Sequence, residues 1–215
     1  MLYCGIDLGF RPKTSLALVS FNKGMFILEH NEIGLTDERI EKIVWDKRPD
    51  VVAIDAPLSA SQEKIRPADK ELRELLKQHP HSKIFSPEGN IASPFGRTLF
   101  SITYRGKYLL QRLQNITNVI ETHPLINFLF LEKCSLEDAN RLKNRKEDCS
   151  IQREILLRYF KSLPKNLEDH DYDAIISAML ACVYSKNESK NKFKILELPK
   201  LYNTDASFVV FKGNN

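Results

Sequence analysis

Three apolar runs of the sequence each end in an acidic residue, and this pattern constrains the fold more than any other feature. The runs are Leu2 to Asp7, Val51 to Asp55 and Asn118 to Glu121. Short, continuous apolar runs are typical of strands that are buried on both faces in a parallel sheet. In an open α/β sheet, sites form at the carboxyl ends of the strands. If the three strands are neighbours, their terminal carboxylates converge there.

The remaining pattern predicts a mixed sheet with helices. Two further strands joined by a tight turn at Lys23-Gly24 would form an antiparallel meander with the first run, and strand–helix–strand order follows. A stretch rich in Pro, Gly, Ser and Asn predicts a long loop or lid. The predicted elements are strands at 15–21 and 25–33, helices after Thr36, from Pro67 to about Gln78 and from Asp169 to Tyr184, the lid at about 80–104, two or three helices at about 125–161, and a terminal hairpin from 193–198 and 207–211.

Composition limits the class of protein. The chain has 215 residues, 42% of them hydrophobic, so it can bury a core as one domain over 1–215 without disulfides or structural metals. No apolar run approaches the roughly 18 residues of a membrane span. The first residues lack a basic segment and a cleavage site, and the four cysteines are scattered, so we expect a cytoplasmic protein. The net charge of +4 permits an anionic partner without requiring one.

Asp173, in the first turn of the late apolar helix, is a fourth candidate beside Asp7, Asp55 and Glu121. Clustered carboxylates repel one another, and a divalent cation relieves the repulsion. Ligand sets made of oxygen suit Mg²⁺ or Mn²⁺, and two such ions can clamp a phosphodiester. Taken singly, each acid could instead be a turn or helix-capping residue.

A second group of polar residues lies near the predicted edge. At 100° per residue, Arg66, Asp69 and Arg73 fall within about 60° of arc on their helix. They could form an anion clamp in which Asp69 orients an arginine, or an exposed salt-bridge face. His123, close to Glu121, could bind a substrate or serve a structural purpose.

Five segments in order resemble the DUF429 family of predicted nucleases, and they span residues 2 to about 184. They are Gly5-Ile6-Asp7-Leu8-Gly9, Val52-Ala53-Ile54-Asp55-Ala56-Pro57-Leu58, Arg66-x-x-Asp69-x-x-x-Arg73, Glu121-Thr122-His123-Pro124 and Asp171-Tyr172-Asp173-Ala174-x-x-Ser177-Ala178. The family is similar to the ribonuclease H-like superfamily. The resemblance implies a five-stranded mixed sheet of order 3-2-1-4-5 with strand 2 antiparallel, helices on both faces, acids on strands one and four, and an acid on a late helix.

The leading hypothesis is therefore a metal-dependent nuclease acting on DNA or RNA. Asp7, Asp55 and Asp173 would hold Mg²⁺ or Mn²⁺, Glu121 would be a further ligand or orienting group, and Arg66 and Arg73 would neutralise phosphate charge.

Two other functions are compatible with this sequence. Residues 5–9 also resemble the first phosphate loop of the actin and sugar-kinase superfamily, which implies an ATP-dependent phosphotransferase. Such enzymes need a second Gly-rich turn, but Ala56-Pro57-Leu58 follows the fourth strand and the chain has no Gly-Gly pair. The other function is a non-catalytic module that binds nucleic acid or protein on the same fold.

Overall fold

The strands form one mixed sheet in the computed structural model, which describes residues 1–9, 13–59, 66–78, 97–131, 135–144, 148–186, 194–198 and 206–212. The strands are β1 (Tyr3–Asp7), β2 (Ser15–Asn22), β3 (Met25–Ile33), β4 (Val51–Asp55), β5 (Asn118–Glu121), β6 (Lys194–Leu198) and β7 (Phe208–Lys212). The helices are α1 (Asp37–Lys47), α2 (Pro67–Gln78), α3 (Arg97–Leu113), α4 (Pro124–Leu131), α5 (Leu136–Lys143), α6 (Ser150–Leu157) and α7 (Asp169–Lys186).

The first five strands have the order and directions that the family resemblance implied. Their order is β3-β2-β1-β4-β5, with β2 antiparallel to both of its neighbours and β1, β4 and β5 parallel. Lys23 and Gly24 both have positive φ angles, as the central residues of a type I′ hairpin turn do. The ribonuclease H-like fold prediction is therefore confirmed.

The predicted number of strands was wrong. The terminal hairpin of β6 and β7 extends the sheet to seven strands, because β7 pairs in parallel with β5. The N–H of Glu121 donates to the carbonyl of Ser207 at 2.8 Å, just before β7 begins. The sequence predicted the hairpin, but local apolar pattern does not specify which distant strand a hairpin joins.

The predicted lid at 80–104 was too long at its carboxyl end, because α3 begins at Arg97. The rest of that stretch, 80–96, lies outside the described residues. The helices expected at 125–161 are present as α4, α5 and α6. None of the described helices combines the length and apolar composition that a bilayer crossing requires.

A glycine determines how closely the late helix packs on the sheet. α7 packs against β1, β2 and β4. A Cβ atom on Gly5 would lie 2.0 Å from the carbonyl oxygen of Ala174 and 2.3 Å from the backbone nitrogen of Ala178. Backbone therefore meets backbone at Gly5. The other face of β1 is covered too, since Cys4 and Ile6 are fully buried.

Candidate active site

Asp7 and Asp55 lie side by side at the carboxyl edge of the sheet. β1 and β4 are parallel, and Asp7 is the register partner of Asp55. Adjacent strands are about 4.8 Å apart, and register partners in parallel strands project from the same face. Asp7 is 6% exposed, whereas Asp55 is partly exposed. The two carboxylates therefore form a pair that is open to solvent on the Asp55 side.

Helix α7 brings His170 and Asp173 to this face. Gly5 and Asp7 are two residues apart in β1, so both project toward α7, whose backbone packs on Gly5. The Nδ1 atom of His170 is hydrogen-bonded to Oδ2 of Asp7. Asp173 is buried and follows His170 by three residues, which places both on one side of the helix. The site thus combines two strand-end carboxylates with a helix that supplies an imidazole and a third carboxylate.

The surroundings of His170 favour its protonated form. The hydrogen bond to Asp7 raises the pKa of the imidazole; burial lowers it, but the charges of Asp7, Asp169 and Asp173 raise it further, and the net shift is upward. A cationic imidazole among carboxylates partly relieves their mutual repulsion. The sequence analysis did not single out this residue, although its position one helical turn before Asp173 was a usable signal.

Glu121 does not join the Asp7–Asp55 pair. Its register partner in β4 is Ile54, so its side chain leaves the face opposite to that of Asp55. Both of its carboxylate oxygens are engaged there. The Arg66 guanidinium donates to Oε1 at 2.6 Å and to Oε2 at 2.9 Å, and the N–H of Leu58 donates to Oε2 at 2.7 Å. Glu121 therefore anchors the segment that follows β4.

Arg66 and Asp69 complete a buried ionic cluster with Glu121. Arg66 is 4% exposed and makes a bidentate pair with Asp69, with both distances 2.8 Å. It also donates to the carbonyl of Ser59 at 3.4 Å. Burial lowers the pKa of the Arg66 guanidinium, but Glu121 and Asp69 raise it above its ordinary value. Burial also raises the pKa of the Glu121 carboxyl, against the opposing effect of Arg66. The predicted orientation of an arginine by Asp69 exists, but the arginine is directed into the protein.

Arg73 and His123, the other predicted substrate-binding residues, are both partly exposed. The Nε atom of Arg73, on α2, is buried and has no hydrogen-bond partner among the residues that the structure describes. His123 directly follows the end of β5 and precedes α4, where its carbonyl accepts from the N–H of Asn127 at 3.0 Å. Unlike Arg66, Arg73 forms no ion pair with a carboxylate among the residues that the structure describes.

The donors at this edge have the chemistry of a site for a hard divalent cation. Carboxylates such as Asp7, Asp55 and Asp173 are ligands that Mg²⁺ and Mn²⁺ prefer. Across the described ranges, however, no three His, Cys, Asp or Glu side chains converge closely enough to form a ready-made metal site. The residues present therefore fit such an ion in ligand type, and their side chains would have to converge further to hold it.

Comparison with known proteins gives a matching family and several similar solved structures. No curated protein matches the chain. The solved structure of RuvC from Thermus thermophilus matches with a TM-score of 0.48 and 18% sequence identity, over 87% of this chain and 96% of that chain. Residues 5–193 match the family described as protein of unknown function (DUF429). This range includes all five sequence segments identified above and every residue of the candidate site. Because this match covers most of its length, the chain belongs to the DUF429 family.

Proposed function

We propose that this protein is a metal-dependent nuclease that hydrolyses phosphodiester bonds of DNA or RNA in the cytoplasm. The observation that carries the proposal is the pairing of Asp7 with Asp55 in register, beneath a helix that adds His170 and Asp173. Asp7, Asp55 and Asp173 would hold Mg²⁺ or Mn²⁺. When bound, such a cation supplies Lewis-acid polarisation of a phosphoryl oxygen.

The chain's own residues take distinct roles in this proposal. The His170 imidazole orients the Asp7 carboxylate through their hydrogen bond and places positive charge beside the position of a substrate phosphate. Glu121 acts from the opposite face of the sheet, where its carboxylate accepts from the N–H of Leu58 and so fixes the segment after Asp55. It is therefore an orienting group in this proposal and not a metal ligand.

Substrate phosphate is assigned to Arg73 and His123. The Arg73 side chain is partly exposed, and a guanidinium binds phosphate oxygens well. His123 lies directly after a strand at the same edge of the sheet as Asp55. Arg66 and Asp69, whose charges are satisfied within the fold, support the site from inside.

The test compares two variants that carry the same change of charge at opposite ends of β4. Asp55→Asn alters the candidate site, whereas Asp50→Asn alters an exposed residue just before the strand. Both would be assayed beside the unmodified chain on labelled DNA and RNA, single-stranded, duplex and branched, with Mg²⁺, Mn²⁺ or EDTA. We expect cation-dependent cleavage that Asp55→Asn abolishes and Asp50→Asn retains.

Other results would refute the proposal. Cleavage that survives Asp55→Asn would come from another site or from a contaminant. Nucleic-acid binding without cleavage under any condition would favour the non-catalytic binding module. Mn²⁺ titration of the unmodified chain and of Asp55→Asn by calorimetry adds a measurement that needs no substrate, and equal heats for the two proteins would remove the metal assignment.

A further inference from the structure

Two adjacent residues of α3, Arg105 and Gly106, contact the chain just beyond both strand-end aspartates. Nη1 of Arg105 donates to the carbonyl of Gly9 at 2.6 Å. A Cβ atom on Gly106 would lie 2.9 Å from the carbonyl oxygen of Pro57, so helix backbone and segment backbone are in direct contact there. Gly9 follows Asp7 by two residues, and Pro57 follows Asp55 by two. One turn of one helix therefore touches equivalent positions after β1 and β4.

Arg105 is itself held firmly. Its Nη2 donates to Oδ1 of Asp37, at the start of α1, at 2.5 Å, and its Nε donates to the same carboxylate at 3.1 Å. Its Nη1 also approaches Oγ1 of Thr14 at 3.2 Å, and that hydroxyl donates to the carbonyl of Gly9 at 3.1 Å. The side chains of Arg105 and Asp37 are 20% and 18% exposed. Such a charge-assisted, bidentate and largely buried contact restrains its partners more than an exposed ion pair does.

We propose that Arg105 and Gly106 are positioning residues that fix the spacing between the strand ends carrying Asp7 and Asp55. The inference rests on the proposed function, since a fixed spacing matters only if the two carboxylates act together. Carboxylates that share a cation must be held within a fraction of an ångström, and residues behind the ligands set that tolerance. Arg105 restrains the β1 side through hydrogen bonds, and Gly106 restrains the β4 side through close packing.

The chain offers a matched control on the same helix. Arg112 also pairs with an acid of α1, Glu41, at 3.0 Å, but its side chain is 59% exposed. Arg105→Met and Arg112→Met therefore each remove one ion pair between α3 and α1, and only Arg105→Met also removes the contact with Gly9. Asp37→Asn is a milder variant that leaves the Arg105–Gly9 hydrogen bond in place, and it serves if Arg105→Met does not fold.

Three measurements would be made on each variant: Mn²⁺ affinity by calorimetry, amide hydrogen exchange in residues 1–22, and the separate kcat and KM of cleavage. We expect Arg105→Met to weaken Mn²⁺ binding and lower kcat by about tenfold or more, as loss of a residue supporting metal ligands does. Exchange should rise around Thr14, and KM should change little. Arg112→Met should match the unmodified chain in all three, and Arg105→Lys should recover part of the loss.

The outcomes separate this inference from the proposed function. If the unmodified chain binds Mn²⁺ and cleaves, and Arg105→Met behaves as Arg112→Met does, the positioning role is refuted while the nuclease stands. Unmodified chain that neither binds Mn²⁺ nor cleaves would refute the proposed function and, with it, the positioning of a metal site. Unchanged exchange near Thr14 in Arg105→Met would refute the restraint itself in either case.

Discussion

Asp7 at the end of β1 and His170 in the first turn of α7 are hydrogen-bonded to each other, although 163 positions separate them in the chain. The bond joins β1, an interior strand of the sheet, to the helix that packs on it. It also raises the pKa of the histidine, with burial opposing. The stability of this interface should therefore depend on pH.

Removal of His170 should reduce stability most at low pH. Because folding raises the pKa of the imidazole, the stabilisation is fully present below the unfolded value of about 6.5. The stabilisation is lost as pH rises through the higher pKa that the His170 imidazole has in the folded chain. The measurement is urea unfolding of the unmodified chain and of His170→Asn in EDTA, at pH values below the unfolded pKa and above the folded one. A difference in free energy of unfolding that grows with pH would contradict the assignment.

Gly5→Ala should be among the most damaging single changes in the core. The added methyl group would lie 2.0 Å from the Ala174 carbonyl oxygen, so α7 would have to move away from β1. Overpacking typically destabilises by about 1–3 kcal/mol, and a contact this close to backbone places Gly5→Ala at the upper end of that range. Gly24→Ala is the control, because nothing lies within 4 Å of its added Cβ and only its φ of +83° opposes the change. That cost is about 1 kcal/mol, so similar unfolding midpoints for the two variants would contradict the close contact.

The placement of Asp7 and Asp55 at neighbouring strand ends was predictable from the sequence, because local pattern determines it. Asp7 and Asp55 end continuous apolar runs, and such runs become adjacent parallel strands whose ends coincide. Glu121 ends a similar run, yet its strand pairs one residue out of step with the aspartates, since its partner is Ile54. Register between distant strands is set by packing across the sheet and not by either strand alone. The sequence could therefore locate the acid but not the face that it occupies.

The buried ion pair of Arg66 with Glu121 could not be predicted from the sequence for a related reason. Arginine is rarely buried, so a pattern of Arg66, Asp69 and Arg73 along a helix favours a solvent-facing group. Only the three-dimensional structure shows that Glu121, 55 positions later, receives the guanidinium. The pairing of β7 with β5 was equally inaccessible, because an apolar hairpin carries no local mark of the strand that it joins.

Arg66→Met should destabilise the fold and not merely weaken substrate binding. It would leave Asp69 and Glu121 buried without their cation, which costs about 3–5 kcal/mol. Lys77→Met removes an exposed ion pair with Glu74, where both side chains are more than half exposed, and should change stability by less than about 0.5 kcal/mol. Chemical unfolding compares the two variants. An unchanged free energy of unfolding with a raised KM in Arg66→Met would restore the anion-clamp hypothesis.

Asp171 and Asp173, two residues apart in α7, should respond in opposite ways to the same substitution. Asp171 accepts hydrogen bonds from Ser15 Oγ at 2.7 Å, from Asn31 Nδ2 at 2.8 Å and from the N–H of Glu168 at 2.9 Å. It therefore ties the start of α7 to β2 and β3. Asp171→Asn replaces an acceptor oxygen with a donor nitrogen in this buried network and should destabilise by about 1–3 kcal/mol.

Asp173→Asn should have little effect on stability and a large effect on function, because the proposed role of this carboxylate is to hold a cation beside Asp7. We expect its Mn²⁺ affinity and cleavage to fall at least about tenfold, while Asp171→Asn, assayed well below its unfolding temperature, keeps both. Thermal unfolding, calorimetry and cleavage on the same two preparations decide the matter. Loss of cation binding in a folded Asp171→Asn variant would contradict the structural role of Asp171. Retention of cation binding in Asp173→Asn would contradict the proposed ligand role of Asp173.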